Sequence, residues 1–181
     1  MKKLISILAL ACFLSVCVPA FADVSDGSPL TMYGITLKLE AGMNYTVEGS
    51  TISDFDITVY PIADNQSVYV NAGWIGTKDG IVEELKSQRQ VVEDQYRQMF
   101  SSYGLTPTEF SVSPVQDAVL ASYECVFYDV DVVLSLPDGS SVAAHQRMYY
   151  FPEAGHVLSV ITEDLETRDR IIQWLDGAVS F

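Results

Sequence analysis

The sequence predicts an α+β fold in which an antiparallel β-sheet carries helices on both faces, an α/β/α sandwich. Short segments rich in Val, Ile, Tyr and Thr are separated by Gly, Pro, Asn and Asp, which is typical of strands and turns. Two longer segments carry apolar residues at helical spacing. Both alternating faces of the later strands are apolar, so both sides of the sheet are expected to be covered.

The composition is that of a globular and strongly acidic protein. The 181 residues include 24 Asp and Glu against 10 Lys and Arg, a formal net charge of −14, and 49% of them are hydrophobic. The hydrophobic share excludes a disordered tail, and one domain is the expectation at this length. Because affinity for a nucleic acid backbone comes largely from Lys and Arg, the charge argues against nucleic acid as a partner.

Residues 1–22 have the pattern of a secretory signal peptide. The basic start Met1-Lys2-Lys3, which looks bacterial, is followed by the uncharged apolar run Leu4–Val18 and by small residues at the expected cleavage site. We therefore expect cleavage after Ala22, a single mature domain over 23–181 and an extracytoplasmic location: secreted, periplasmic or in the cell envelope. A retained membrane anchor is one alternative, but the apolar run is shorter than the roughly 20 residues that span a bilayer.

A lipid anchor is the other alternative for this N-terminal segment. Leu14-Ser15-Val16-Cys17 resembles a bacterial lipobox, although Val16 occupies a position where that motif has a small residue. Cleavage after Ala22 would also remove Lys2 and Lys3, and the loss of two positive charges changes the net charge from −14 to −16.

Cleavage would leave Cys125 as the lone cysteine, since Cys12 and Cys17 belong to the leader. No intrachain disulfide can then form, and stability must come from the core. The apolar neighbours Val126 and Phe127 predict a buried and unreactive thiol.

The first half of the mature chain is predicted to form three strands and one long helix. The strands have high β-propensity and are bounded by turn residues; they cover Met32–Leu39, Phe55–Tyr60 and Ser67–Trp74. The helix is predicted over Asp79–Tyr103, where apolar residues recur at three, four and seven and Gly104 follows as a cap.

The second half is predicted to form strands that end in a helix. The strands are Glu109–Val112, Val119–Leu136, Val142–Phe151 and His156–Thr162, and the helix is Leu165–Ala178, capped by Asp164 or Thr162. The turn Pro137-Asp138-Gly139 predicts a hairpin in which Leu136 pairs with Ser141. A second turn pairs Phe151 with His156.

This order of elements resembles the Mog1/PsbP-like fold family, which includes PsbP-like and DcrB-type bacterial envelope proteins. The resemblance lies in Gly34–Met43, Phe55–Pro61 and Gln146–Phe151, and it extends through the closing helix to Phe181. It implies a non-enzymatic binding or assembly module, because relatives serve as a photosystem subunit, a small-GTPase partner or envelope proteins. It implies no catalytic residues.

The residues themselves predict no catalytic, zinc or cofactor site. Cys125 and His156 fall on opposite faces of the predicted sheet, so they cannot form a nucleophile pair unless a bulge shifts the register by one residue. His145 and His156 lie about six residues apart along the ladder, roughly 20 Å, which is too far to share a metal. Gly-x-Ser-x-Gly, P-loop and His-Glu-x-x-His motifs are absent.

One acidic patch is a weak candidate for a Ca²⁺ site. Asp129 and Asp131 are two apart in a strand and share a face, and the predicted register places Gln146 opposite Asp131. Ca²⁺ takes six to eight oxygen ligands, and this patch supplies only a few. An exposed polar strip is therefore the favoured interpretation.

Three classes of function follow from these observations. The first is a non-enzymatic binding or assembly module with a protein partner in the cell envelope. The second is a protein that binds a small ligand or a divalent cation such as Ca²⁺. The third is a hydrolase with an unrecognised site. No cofactor and no membrane-spanning helix in the mature chain are expected.

Overall fold

The computed structural model describes residues 23–32, 34–51, 54–60, 69–77, 79–135 and 139–181. The predicted signal peptide, 1–22, lies outside the described residues, as do the start of the predicted strand at Ser67 and most of the turn before Gly139. Within the described residues, no helix is both long and apolar enough to cross a bilayer.

The described residues form twelve strands and three helices. The strands are β1 Asp23–Val24, β2 Pro29–Met32, β3 Ile35–Lys38, β4 Asn44–Thr51, β5 Asp54–Tyr60, β6 Tyr69–Trp74, β7 Pro107–Val112, β8 Gln116–Leu120, β9 Tyr123–Ser135, β10 Ser141–Phe151, β11 His156–Thr162 and β12 Val179–Ser180. The helices are α1 Ile81–Ser87, α2 Arg89–Ser102 and α3 Leu165–Ala178.

Two antiparallel sheets organise these elements. In the described part of the chain a nine-stranded sheet has the order β1-β4-β5-β6-β11-β10-β9-β7, and β8 pairs with the remaining length of β9. A smaller sheet has the order β12-β3-β2. Neighbouring strands run antiparallel throughout these ladders. The predicted α+β class with an antiparallel sheet is confirmed.

Helices cover both faces of the large sheet, as predicted. One core layer lies beneath α1 and α2, where Tyr96 and Phe100 pack on Val126, Val130 and other β9 side chains. The second layer lies beneath α3 and the small sheet, where Ile171 and Leu175 join Leu37, Leu158 and their neighbours. Leu158 on the α3 face is 0% exposed and Met148 on the α2 face is 2% exposed, so the middle strands are buried on two sides.

The predicted register between the two long strands is wrong by one residue. Ser141 pairs with Ser135 and not with Leu136, because five residues instead of four separate the paired ends. Side chains of β9 with even numbers therefore share a face with those of β10 with even numbers. The second predicted register, Phe151 with His156, is confirmed.

The predicted long helix is interrupted at Gln88, which separates α1 from α2. The hydroxyl of Ser87 donates to the Glu84 carbonyl at 2.9 Å, and the Gln88 N–H donates to Leu85 three residues back at 3.3 Å. Hydrogen bonds of this local kind compete with the i to i−4 ladder and bend helices.

The predicted strand Val119–Leu136 is two strands joined by a tight turn. Leu120 pairs with Tyr123, and the two loop residues Ala121 and Ser122 have φ values of 52° and 69°. Positive φ at both central positions is the geometry of a type I′ hairpin turn, usually built from Asn-Gly. Because Ala and Ser are not typical of this turn type, the sequence does not predict a turn at these positions.

The predicted limits of helix α3 are confirmed, and the side chain of its N-cap Asp164 accepts from the Thr167 N–H at 2.7 Å. Leu165, the first residue of this helix, is exposed. Four strands had no prediction of their own: β1, β2, β4 and β12.

Two glycine-containing turns lock β6 to the β10–β11 hairpin. Gly155, at φ +69°, accepts the N–H groups of Ile75 and Gly76 at 2.9 and 3.0 Å. The Tyr150 hydroxyl donates to the Gly76 carbonyl at 3.2 Å. A Cβ on Gly155 would lie 2.6 Å from the Gly76 carbonyl carbon, so no other residue fits between the two backbones.

We expect Gly155→Ala to destabilise the protein by about 3 kcal/mol or more, because it adds a backbone clash to the strain of positive φ. Gly104→Ala is the matched control: Gly104 has the same φ of +69° and open space around it. That variant should lose only about 1–2 kcal/mol. Urea unfolding of the two variants measures the difference, and equal losses would contradict the backbone lock.

Candidate functional site

A polar strip lies on the α3 face of the large sheet, where the predicted acidic patch was placed. Asp129 and Asp131 do share a face of β9. Their directly opposed partners on β10 are Arg147 and His145. The corrected register therefore pairs each carboxylate with a basic side chain.

Asp129 and Arg147 form a two-point ion pair. Arg147 Nε lies 2.7 Å from Asp129 Oδ1, and Arg147 Nη2 lies 2.8 Å from Asp129 Oδ2. The hydrogen bonds to Asp129 raise the pKa of the Arg147 guanidinium. The guanidinium also lies over the Phe127 ring, 4.3 Å from its centroid. Stacking and bidentate bonding together hold this arginine in one orientation.

Helix α3 adds a second guanidinium to the same carboxylate. Arg168 Nη1 lies 3.4 Å from Asp129 Oδ1, and Arg168 Nη2 lies 3.3 Å from Oδ1 of Asp169. The Arg168 side chain is only 8% exposed. From the other side, Ser113 Oγ accepts the Asp129 N–H at 2.8 Å. Asp129 thus links α3, β9, β10 and the β7–β8 connection.

His145 and Asp131 form the outer pair of the strip. His145 Nδ1 lies 2.7 Å from Asp131 Oδ1, and the Asp131 side chain is 42% exposed. A carboxylate-oriented imidazole can act as a general base. The next residue in the row is Thr162, but it is buried and its hydroxyl donates to the Asp164 carbonyl at 2.6 Å. On its other side, Asp131 is opposed by the exposed Ser111 of β7, so this hydroxyl is separated from the imidazole by the carboxylate and does not lie beside the ring.

Gln146 does not belong to this strip, and the predicted three-residue patch is wrong on this point. Gln146 is opposite Val130, lies on the α2 face and accepts the Tyr96 hydroxyl at 2.9 Å. Both oxygens of Asp129 are already bonded to Arg147. Across the described ranges, no three His, Cys, Asp or Glu side chains converge as a metal site would require.

Cys125 and His156 share a face, contrary to the prediction that follows from the wrong register. Phe151 on β10 lies between them, so they are two strand spacings, about 10 Å, apart. Burial raises the pKa of the Cys125 thiol to about 11. The His156 ring packs 5.2 Å from the Phe181 ring. These contacts do not form a thiolate–imidazole pair.

Trp74 is a functional candidate that the sequence analysis did not single out. It ends β6 opposite His156, and 53% of its surface is exposed. A Cβ on Gly76 would lie 3.6 Å from the indole Cζ2, so the ring rests along the locked Gly76 backbone. A Trp before a Gly-rich turn at a strand end is the signal that could have identified it.

Comparison with solved structures finds a similarity to the solution structure of cyanobacterial PsbP (CyanoP) from Synechocystis sp. PCC 6803. The identity is 10%, the TM-score is 0.44, and the alignment covers 92% of this chain and 98% of that chain. PsbP is among the proteins that the sequence resembles. A scan against protein-family models finds no match, and neither does a search of curated proteins.

We expect Asp129→Asn to lower the free energy of unfolding by about 2–4 kcal/mol, because it leaves the largely buried Arg147 without its carboxylate and Arg168 with only the exposed Asp169. Asp131→Asn is the matched control on the same strand face. Asp131 is more exposed, and its ion-pair partner among the described residues is His145, so its loss should cost less than about 1 kcal/mol. Urea denaturation compares them, and similar losses would contradict the central place of Asp129.

The raised pKa of Cys125 also makes stability depend on pH. The thiol titrates near 9.0 when unperturbed and near 11 in the folded protein, so the unfolded chain loses its proton first. The contribution of the protonated thiol to the free energy of unfolding is fully present below about pH 9 and is lost as the pH rises towards 11. Burial also raises the pKa of Tyr149 and Tyr150, which adds to this loss.

Cys125→Ala should therefore lose stability less steeply than the parent protein over this pH range. One titrating group contributes at most about 1.4 kcal/mol per pH unit. Urea midpoints measured for both proteins across the range give the two slopes. Parallel slopes would mean that the thiol titrates alike in the folded and unfolded chains.

Proposed function

We propose that the protein is a non-enzymatic binding or assembly module that acts outside the cytoplasm, in the cell envelope, as a single domain over 23–181. The observation that carries this proposal is the exposed Trp74. Its ring rests on the turn that contains Gly76, and this turn is hydrogen-bonded to Gly155. Large aromatic side chains fixed on a rigid frame are the usual anchors of protein interfaces.

The rigidity of this turn favours binding. Association costs free energy when side chains and loops must become ordered at the interface. The Trp74 indole already rests on a backbone held by two hydrogen bonds to the Gly155 carbonyl and one from Tyr150. A partner would therefore meet an anchor that is largely preorganised.

The contacts of the reactive side chains support a binding module over a hydrolase. Cys125 is buried, and its raised pKa keeps the thiol protonated at neutral pH. Asp129 is held by Arg147 and Arg168. His145 has an oriented ring, but the adjacent Thr162 hydroxyl is already committed to the Asp164 carbonyl.

The location rests on the N-terminal sequence. A basic start, an uncharged apolar run and small residues before Asp23 support export and cleavage after Ala22. A mature chain with the single thiol of Cys125 has no disulfide to form, so its stability in an oxidising compartment rests on the two core layers.

Affinity capture from native envelope extract tests the proposal, with the tagged mature chain as bait. We expect a stoichiometric partner that survives moderate salt and that Trp74→Ala loses, because truncation of an interface anchor costs about 2 kcal/mol or more. Tyr103→Ala is the matched control, since Tyr103 is equally exposed, at 52%, at the C-terminal end of α2.

The two variants make the outcome decisive. Retention of the partner by Tyr103→Ala and its loss by Trp74→Ala would support an interface at Trp74. The proposal would be overturned if neither substitution reduces the amount of captured partner, or if only proteins that salt washes off are captured. Circular dichroism of each variant verifies that the fold is intact.

A further inference from the structure

We propose that Trp74 and its surroundings bind a basic segment of a partner protein, with a Lys or Arg side chain stacked on the exposed indole. We define the Trp74 surface as Trp74, Gly76, Asp79 and Glu153. This inference rests on the proposed binding function and specifies the chemistry of the partner.

The first step is the position of the carboxylates. Glu153 is exposed and lies two residues before Gly155, whose backbone touches Gly76. Asp79 is exposed and lies three residues after Gly76. At 3.8 Å per residue, both Cα atoms fall within roughly 12 Å of the glycine that supports the indole. Two turns thus place the backbone of one acidic residue each within this distance of Gly76.

The second step is the availability of these charges. Neither Glu153 nor Asp79 takes part in an ion pair with another residue of the described ranges. Elsewhere on the molecule the better-buried carboxylate, Asp129, is neutralised by arginines of this chain. Within those ranges Glu153 and Asp79 are therefore available to a cation from outside, and the sequence between Gly76 and Asp79 also contains the basic residue Lys78.

The third step is the fit of a basic side chain to this chemistry. An aromatic face attracts a cation placed over it, and Trp is the best of the aromatic residues for this contact. A guanidinium is planar, so it can stack on the indole while its N–H groups reach a carboxylate. This chain uses the same combination internally, where Arg147 lies over Phe127 and bonds Asp129.

The net charge decides among the possible occupants. At −14 the protein attracts a basic segment over distance, and this raises the association rate at low salt. A second copy would bring the same excess of negative charge. An anionic lipid surface and a nucleic acid would be repelled for the same reason.

A peptide titration tests this inference on the mature protein. The probe is a synthetic peptide of alternating Arg and Gly, and a Glu-Gly peptide of the same length is its charge-reversed control. Trp74 and Trp174 are the two tryptophans of the chain, so a Trp174→Phe background makes Trp74 the sole indole reporter. Its fluorescence follows binding, and calorimetry gives the affinity.

We expect saturable binding of the Arg-Gly peptide with a change in Trp74 emission, and none with the Glu-Gly peptide. By calorimetry, Trp74→Ala should weaken binding by about tenfold or more, the equivalent of about 1.4 kcal/mol. Glu153→Gln should weaken it severalfold and reduce the salt dependence. Tyr103→Ala should leave the affinity unchanged, which separates a site from general attraction to an acidic surface.

Several outcomes would overturn the inference. Equal binding by all variants would mean that the acidity acts without a site. Trp74-dependent binding to neutral phosphatidylcholine vesicles, or Trp74-dependent dimerisation in sedimentation equilibrium, would assign the surface to a membrane or a second copy. If capture from envelope extract depends on Trp74 but the Arg-Gly peptide does not bind, the inference that the partner segment is basic is overturned and the interface at Trp74 remains. If the capture is also independent of Trp74, the proposed function fails as well.

Discussion

The middle strands β9, β10 and β11 are buried on both faces, and the rest of the structure follows from that constraint. Tyr150 and Met148 face α1 and α2, while Tyr149 and Leu158 face α3 and the small sheet. A sheet of this kind needs a cover on each side, because either face alone would expose a large apolar surface. The covers must also be attached to it, and they approach from different parts of the chain.

The attachments are few and chemically distinct. Asp129 connects the sheet to α3 through Arg168, and it positions Arg147 on the same carboxylate. Gly155 and Gly76 fasten β6 to the β10–β11 hairpin through backbone contact. Largely buried charges must be paired and a close backbone approach requires glycine, so these positions tolerate little change. Their role is to hold surfaces in place, and the Trp74 surface is one of them.

These attachments explain why the titratable and nucleophilic side chains are poor candidates for a functional site. Acids, bases and the thiol on the α3 face are engaged in pairing or packing, which stabilises the fold. The Trp74 surface contributes little to the core, and its indole remains half exposed on a rigid turn. The basic partner that we propose would contact this anchor, and its binding requires no change in the core.

The sequence by itself determined the fold class, the two-sided burial, the limits of α3 and the pairing of Phe151 with His156. Apolar periodicity and turn residues carry these features locally. It did not determine the break at Gln88 or the turn at Ala121 and Ser122, because competing hydrogen bonds and positive φ leave no mark in composition. The opposite charges of Asp129 and Arg147 were the available clue to the correct register.

Only the tertiary structure decided which residues meet across the sheet. In a sheet with one polar face, a slip of one residue would expose the core, so the apolar pattern alone specifies the register. Here both faces are apolar, and the slip merely exchanges one apolar face for the other. The five residues between Ser135 and Ser141 and the charge pairs on the α3 face settle the register. The same register removes Gln146 from the predicted patch.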